Sequence, residues 1–244
     1  MFDVIVVGGG PAGLTAAMHL GAHPPGDPCA GVKPVKLRQR VSAAARAQFG
    51  RPTGFWGRAA GLLMAHRPSN RRRNAWAVSL LDVRRDDRVL ELGFGPGLAI
   101  RELSRIAAEG YVCGIDHSEL MLRWARRRNA DGLRRGVVDL RLGSVDELPA
   151  FDALFDKILA VNTMVFGSEP VARLAELRRL LRPGGLIAVA YQPRGPGATN
   201  ETSAAKGREI AVALIRARFT EVRLETMKLK PAVVCALGVN GAGT

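Results

Sequence analysis

Apolar and polar stretches alternate most regularly over residues 84–244. Apolar runs of strand length occupy Arg88–Leu92, Tyr111–Ile115, Val137–Leu142, Lys157–Val161 and Leu186–Tyr191. The intervening segments predict helices over Leu98–Ala108, Glu119–Asn129, Pro170–Leu181 and Glu201–Ala217. Two closing runs, Val222–Thr226 and Val233–Leu237, stand near enough in sequence for antiparallel pairing. Strand–helix alternation of this kind predicts an α/β fold, a mostly parallel sheet covered by helices on both faces. Ligands of such sheets bind beyond the C-terminal ends of the strands, where the strand order reverses.

The two earlier zones read differently. Residues 42–83 predict a helical cap, broken by the turn-rich joint Phe49–Gly54. Within it, Phe55–Ala65 places Trp56, Ala59, Leu62 and Leu63 on one side. Phe55, Trp56, Leu62, Leu63 and Met64 either line an apolar acceptor pocket or seat the cap on the sheet. After Pro68, Ser69 or Asn70 can cap a further helix carrying Trp76, Leu80 and Leu81. Residues 1–41 begin with an apolar strand, Phe2–Val7, a glycine turn, Gly8–Gly13, and a short helix, Leu14–Leu20. The Gly- and Pro-rich stretch Gly21–Pro34 follows as a linker.

Composition narrows the class. With 47% hydrophobic and 24% charged residues the chain can bury a core. The three cysteines, Cys29, Cys113 and Cys235, are far apart and form no CxxC pair, which argues against a disulfide framework or a cysteine-based zinc site. No run reaches the roughly 20 apolar residues of a membrane span, and the apolar N-terminus starts at Asp3 without a basic leader segment. A cytoplasmic protein is expected. The net charge of +14 is unevenly spread, since no acidic residue occurs between Asp27 and Asp82. That interval holds Lys33, Lys36, Arg38, Arg40, Arg46, Arg51, Arg58, Arg67 and the run Arg71-Arg72-Arg73. Such a field attracts anions, nucleic acid among them. Few aromatic residues are present to stack on bases, which favours a solvated basic face.

Two glycine loops offer chemistry. Glu91-Leu92-Gly93-Phe94-Gly95-Pro96-Gly97 follows a predicted strand and precedes a helix. Glycines there allow a sharp bend and a close ligand approach, and the amides at the helix start attract a carboxylate. A lone glycine turn is also the ordinary solution for a tight strand–helix corner. The next strand, however, ends in Asp116, about twenty residues on, where an acid can accept hydrogen bonds from ribose hydroxyls. The N-terminal loop, with Gly8, Gly10 and Gly13, has the GxGxxG spacing of dinucleotide sites. It lacks the acid-terminated second strand that such a site requires.

These residues resemble the class I S-adenosylmethionine-dependent methyltransferases, in particular the type 11 or UbiE-like group of small-molecule enzymes. Val89–Gly97 is similar to their first motif and Gly114–Leu122 to their second, including the helix-capping Ser118. Leu142–Pro149 resembles the segment along the adenine edge, and Leu181–Leu186 the turn before the fifth strand. The resemblance implies a three-layer Rossmann-like sheet with an antiparallel C-terminal strand and S-adenosyl-L-methionine as cofactor. It assigns Gly93, Gly95 and Gly97 to the methionine end, Glu91 to the amino group and Asp116 to the ribose, with Phe94 also among the cofactor-binding residues. Met121 would pack on the adenine, and Ser144 and Val145 would face its edge. Ser144 stands where the group usually has Asp, a weaker partner for the adenine amino group. The segment Asp3–Leu14 resembles instead the start of FAD-binding flavoproteins, but for about twenty residues only, and reads as a remnant without a complete site.

The reaction implied is direct methyl transfer to a small-molecule acceptor. The alternatives are a nucleic-acid methylase using residues 28–81 and a flavin-related binding module. No obligatory catalytic residue stands out. His117, beside Asp116, and Asn162, at the end of a strand, are the candidates for a catalytic role, and both are also placed among the cofactor-binding residues. His117 also reads as an ordinary first-turn residue, and Asn162 as a structural hydrogen-bonding residue. Val161-Asn162-Thr163-Met164 differs from the Asn-Pro-Pro-Tyr tetrapeptide of exocyclic-amine nucleic-acid methylases. Cys113, inside a strand, reads as core.

Overall fold

The computed structural model describes residues 68–163 and 169–241. The expectations for residues 1–67, the flavoprotein-like segment and the Phe55–Met64 surface among them, lie outside the described residues. The described chain forms one seven-stranded sheet with strand order β3-β2-β1-β4-β5-β7-β6. The strands are β1 (Arg88–Leu92), β2 (Tyr111–Asp116), β3 (Val138–Leu142), β4 (Phe155–Val161), β5 (Leu181–Tyr191), β6 (Thr220–Met227) and β7 (Val233–Val239). The helices are α1 (Pro68–Ser79), α2 (Leu98–Ile106), α3 (Glu119–Arg128), α4 (Ala130–Arg134), α5 (Pro170–Leu180) and α6 (Asn200–Arg216). Only β7 runs against the others, paired antiparallel with both β5 and β6.

The period-two alternation of each strand separates two cores. Val89 packs on one face with Ala77, Val78 and Leu81 of the α1 region, with Ile100 and Leu103 of α2 and with Ala125 of α3. Leu90 and Leu92 point to the other face, toward Leu174 and Leu177 of α5 and Ile210 and Leu214 of α6. Glu91, between Leu90 and Leu92, therefore belongs to the face covered by α1 and α2. Cys113 is buried in the second core and Cys235 in the first. Burial pushes the Cys113 thiol to about 11 and the Cys235 thiol to about 12.

Several element ends differ from the sequence expectation. Helix α1 opens at Pro68 itself, and Asn70 lies inside the helix bonded to Arg73 and Asn74. Proline suits a first helical turn because its missing N–H has no intrahelical partner there. Helix α4 was not anticipated; its five residues are too few to show a helical period. β5 begins at Leu181, but its pairing jumps from Phe155↔Leu181 to Lys157↔Leu186. The glycine turn thus sits within the strand as an irregularity, with Gly184 at φ +79°.

The strand order reverses between β1 and β4, whose neighbours on the other side, β2 and β5, lead away in opposite directions. The loops leaving Leu92 and Val161 diverge there and open a cleft. Helix α1 lies alongside, its buried residues Asn70, Arg73 and Ala77 recurring at helical spacing.

Candidate functional site

Three adjacent strand ends build the floor of the cleft. Beyond β1, the Gly93 amide donates to the Ile115 carbonyl (2.8 Å), which binds the loop to β2. The Thr163 hydroxyl donates to the Leu92 carbonyl (2.7 Å). A Cβ on Gly93, at φ +69°, would come within 2.3 Å of that hydroxyl oxygen. Gly97, at φ +73°, begins α2, where a Cβ would meet Asn129 Nδ2 at 2.6 Å and Ala125 Cβ at 2.8 Å. Asn129 is buried and donates to the Gly97 carbonyl (3.2 Å), tying the loop to the end of α3. Gly95 differs from both. A Cβ there would meet nothing within 4 Å.

Asp116, at the end of β2, is 5% exposed and accepts from two backbone amides. Oδ2 takes the Gly95 N–H (2.7 Å) and Oδ1 the Ser118 N–H (2.9 Å). Ser118 in turn caps α3, its hydroxyl accepting from the Met121 amide (3.4 Å). One carboxylate thereby holds the apex of the glycine loop and the entry to α3 together.

Glu91 contrasts with it. The side chain is 1% exposed, and Oε2 has no hydrogen-bond partner. Burial pushes its carboxyl well above the ordinary range; the Asp116 charge adds to this, and the Ile100 amide opposes it. Glu91 lines the cleft with Asn70, Arg73 and Asn74 of α1, Gly93–Pro96, Leu98, Met121, Val161, Asn162 and Arg194, around an open space of about 650 Å³. Arg73 is 4% exposed. Its Nη1 donates to Gln192 Oε1 (2.8 Å) and its Nη2 to Asn70 Oδ1, while Nε has no partner. No carboxylate pairs with it among the described residues. Burial, and then the charge of Arg194, lowers its pKa to about 9.

The expected site residues divide into three groups. Glu91, Gly93, Gly95, Met121 and Asn162 line the cleft. Phe94 lines it too, but is 3% exposed and packs against the β2 core, its Cδ1 2.7 Å from where a Gly114 Cβ would stand. Gly97 and Asp116 act from behind the lining, by shaping and holding the loop. Asn162, at φ +54°, makes a reciprocal pair with the Gln192 backbone: Nδ2 donates to the carbonyl and Oδ1 accepts the amide, both at 2.9 Å. That pair braces the ends of β4 and β5. His117 is 58% exposed at its side chain, with Nδ1 3.9 Å from Asp116 Oδ1, and is not part of the lining. Ser144 and Val145 also lie outside it. Ser144 is exposed and its hydroxyl accepts the Asp146 amide (3.1 Å), while Val145 packs against the second core.

The residues that sequence reasoning missed are Asn70, Arg73, Asn74 and Arg194. A signal for Arg73 existed. It stands seven and eight positions before Leu80 and Leu81, on the face that the apolar residues of α1 mark as buried.

Comparison with known proteins agrees with this architecture. Residues 89–185 match the methyltransferase domain family. The chain is 32% identical over 178 residues to the uncharacterized methyltransferase YdaC of Bacillus subtilis, covering 72% of this chain and 95% of that protein. It is 36% identical over 113 residues to a demethylmenaquinone methyltransferase of Symbiobacterium thermophilum, covering 44% of this chain and 43% of that one. Among solved structures, a SAM-dependent methyltransferase from Aquifex aeolicus superposes with a TM-score of 0.57 at 22% identity, covering 71% of this chain and 93% of that one.

Proposed function

We propose a role for each cleft residue on the ground that the chain belongs to the class I S-adenosylmethionine-dependent methyltransferases. It is a methyltransferase and its cofactor is S-adenosyl-L-methionine, which supplies a methyl group already activated on a sulfonium centre. The acceptor, in this reading, is a small molecule. No helix among the described residues is long and apolar enough to cross a membrane.

The observation that carries the assignment is a buried carboxyl, Glu91, and a buried guanidinium, Arg73, lining one cleft, each with an atom left unpartnered: Glu91 Oε2 and Arg73 Nε. Neither is paired with the other in an ion pair. An α-amino acid group has the complementary chemistry, an ammonium for Glu91 and a carboxylate for Arg73. A buried polar atom without a partner costs about 1–3 kcal/mol, and a ligand of opposite charge beside the same side chain would offset part of that cost. Gly95 leaves the cleft wall bare beside them. Asp116 would receive the ribose hydroxyls while retaining the loop amides, and Met121 would pack against the base. Ser144 and Val145 would bound its far edge.

What remains for the protein is placement. Holding an acceptor in line with an activated methyl group is worth up to about 7–11 kcal/mol of barrier. Asn162 serves as a brace of the cleft wall in this reading, its amide committed to Gln192. His117, on the exposed rim, would contact the acceptor side without a required proton transfer.

Calorimetric titration with S-adenosylhomocysteine and with 5′-methylthioadenosine, which lacks the amino-acid group, tests the assignment. Arg73→Met should weaken the first at least tenfold and leave the second unchanged. Equal binding of S-adenosylhomocysteine by both proteins would remove Arg73 from the site.

A further inference from the structure

A second concavity adjoins the cleft, on the outer side of α1 and α2. It is an open groove of about 290 Å³, lined by Arg71, Asn74 and Ala75 of α1, Leu98, Arg101, Glu102 and Arg105 of α2, and Arg128 at the end of α3. Asn74 and Leu98 line both this groove and the cleft. Four guanidinium groups thus surround one space that contains a single acid.

None of the four arginines forms an ion pair among the described residues, although elsewhere on the surface Arg85, Arg123, Arg134, Arg173 and Arg182 each have an acidic partner. Arg128 is anchored, donating from Nη1 to the Pro96 carbonyl of the glycine loop. Burial holds its guanidinium below the ordinary arginine range, and the charges of Arg101 and Arg71 add to the effect. Helix polarity supplies an independent sign. Arg105 and Arg128 stand in last turns, where the helix dipole favours a cation. Arg71 and Arg101 stand in the first turns of α1 and α2, where the dipole opposes one. Arg101 and Arg105 are also four residues apart on one helix face, a spacing at which like charges repel. Among the described residues, Glu102 is the one acid in the groove set against these repulsions. A bound anion would offset them further.

We propose that this groove binds the phosphate end of a phosphorylated methyl acceptor, whose other end reaches the adjoining cleft past Asn74 and Leu98. This rests on the methyl-transfer reading of the cleft. Guanidinium groups match phosphate oxygens with paired N–H donors. The lining holds no aromatic ring on which a nucleobase could stack, which favours a phosphate group over a nucleic-acid strand.

The test uses the full chain at low ionic strength, with inorganic pyrophosphate as the probe and S-adenosylhomocysteine titrated in parallel. Arg101 and Arg105 are exposed, so Arg101→Gln/Arg105→Gln is compatible with the fold. Pyrophosphate affinity should fall tenfold or more in that variant and recover in part in Arg101→Lys/Arg105→Lys, with S-adenosylhomocysteine affinity unchanged within twofold. Equal pyrophosphate binding by wild type and the Gln variant overturns the proposal. Failure of wild type to bind S-adenosylhomocysteine would instead sink the cleft reading, while the pyrophosphate result still judges the groove. Phosphatidylglycerol vesicles that compete with pyrophosphate, where phosphatidylcholine vesicles do not, would identify a lipid headgroup as the source; pyrophosphate binding without vesicle binding would identify a soluble phosphate ester. RNA binding that drops in the Gln variant but is not displaced by pyrophosphate would overturn the proposal in favour of nucleic acid.

Discussion

The two ends of the cleft differ in how completely their polar groups are matched. At the β2 end, both oxygens of Asp116 are engaged by the amides of Gly95 and Ser118, and Ser118 continues the bonding into α3; Asn129 donates to the Gly97 carbonyl there, with its own Oδ1 unpartnered. At the β1–α1 end, Glu91 and Arg73 are more deeply buried, yet each keeps an atom with no partner. Burial without satisfaction destabilises the protein in the absence of a ligand, whereas burial with satisfaction stiffens it. The first end is scaffold that shapes the glycine loop in advance. The second end is where a bound ligand has the most to contribute.

The largest disturbance of that contrast should come from Asp116→Ala. It leaves the amides of Gly95 and Ser118 without their acceptor, so chemical denaturation should show a loss of about 3–6 kcal/mol, since each hydrogen bond to a charged group contributes roughly 1.5–3 kcal/mol. Affinity for S-adenosylhomocysteine should fall more than tenfold. An unchanged denaturation midpoint would mean that the loop does not depend on Asp116.

Comparing Gly97→Ala with Gly95→Ala separates scaffold from ligand surface within one loop. Both substitutions place a Cβ at positive φ, a strain of about 1–2 kcal/mol. Only Gly97→Ala also collides with Asn129 and Ala125, so it should be the less stable of the two by about 1–3 kcal/mol, as overpacked sites are. Gly95→Ala, which meets no protein atom, should instead lose cofactor affinity disproportionately. Matching melting temperatures for the two variants would contradict the packing described for Gly97.

The smallest effect is a pH dependence at Glu91. A carboxyl whose folded pKa lies above its unfolded value binds more protons in the folded state, so stability falls as pH rises between the two values. For Glu91 that window runs from the ordinary glutamate value of about 4.3 up to its raised folded value. Without cofactor, the melting temperature of wild type should decline relative to Glu91→Gln across this window, and S-adenosylhomocysteine should narrow the gap. Parallel curves would indicate that the Glu91 carboxyl is not perturbed by burial.

Much of this was legible in the residue pattern. The apolar runs marked β1, β2, β4 and the closing strands to within a few residues, and the helical periods marked α2, α3, α5 and α6. Strands and helices of this length announce themselves because one face must be apolar to be buried. The glycine loop and Asp116 were legible for a different reason, since positive φ and a strand-terminal acid leave narrow residue choices. Helix α4 and the irregular start of β5 were not, because five residues show no period and a shift in pairing register depends on the neighbouring strand.

The site itself divides the same way. That Gly93, Gly95 and Gly97 bend the chain after β1 follows from local sequence, as does the Ser118 cap of α3. The burial of Arg73 follows only in part: its spacing from Leu80 and Leu81 marks the inward face, while the arginine run that it ends reads as a surface. Only the packing of α1 against α2 and β4 removes its guanidinium from water and sets it in one cleft with Glu91. Likewise the meeting of Arg71, Arg101, Arg105 and Arg128 joins three helices that are distant in sequence. Short-range patterning determines which elements form, because backbone conformation and burial of one face are local demands. Which charges end in a shared, water-poor space is decided by contacts between elements, and that is where the chemistry of this protein is set.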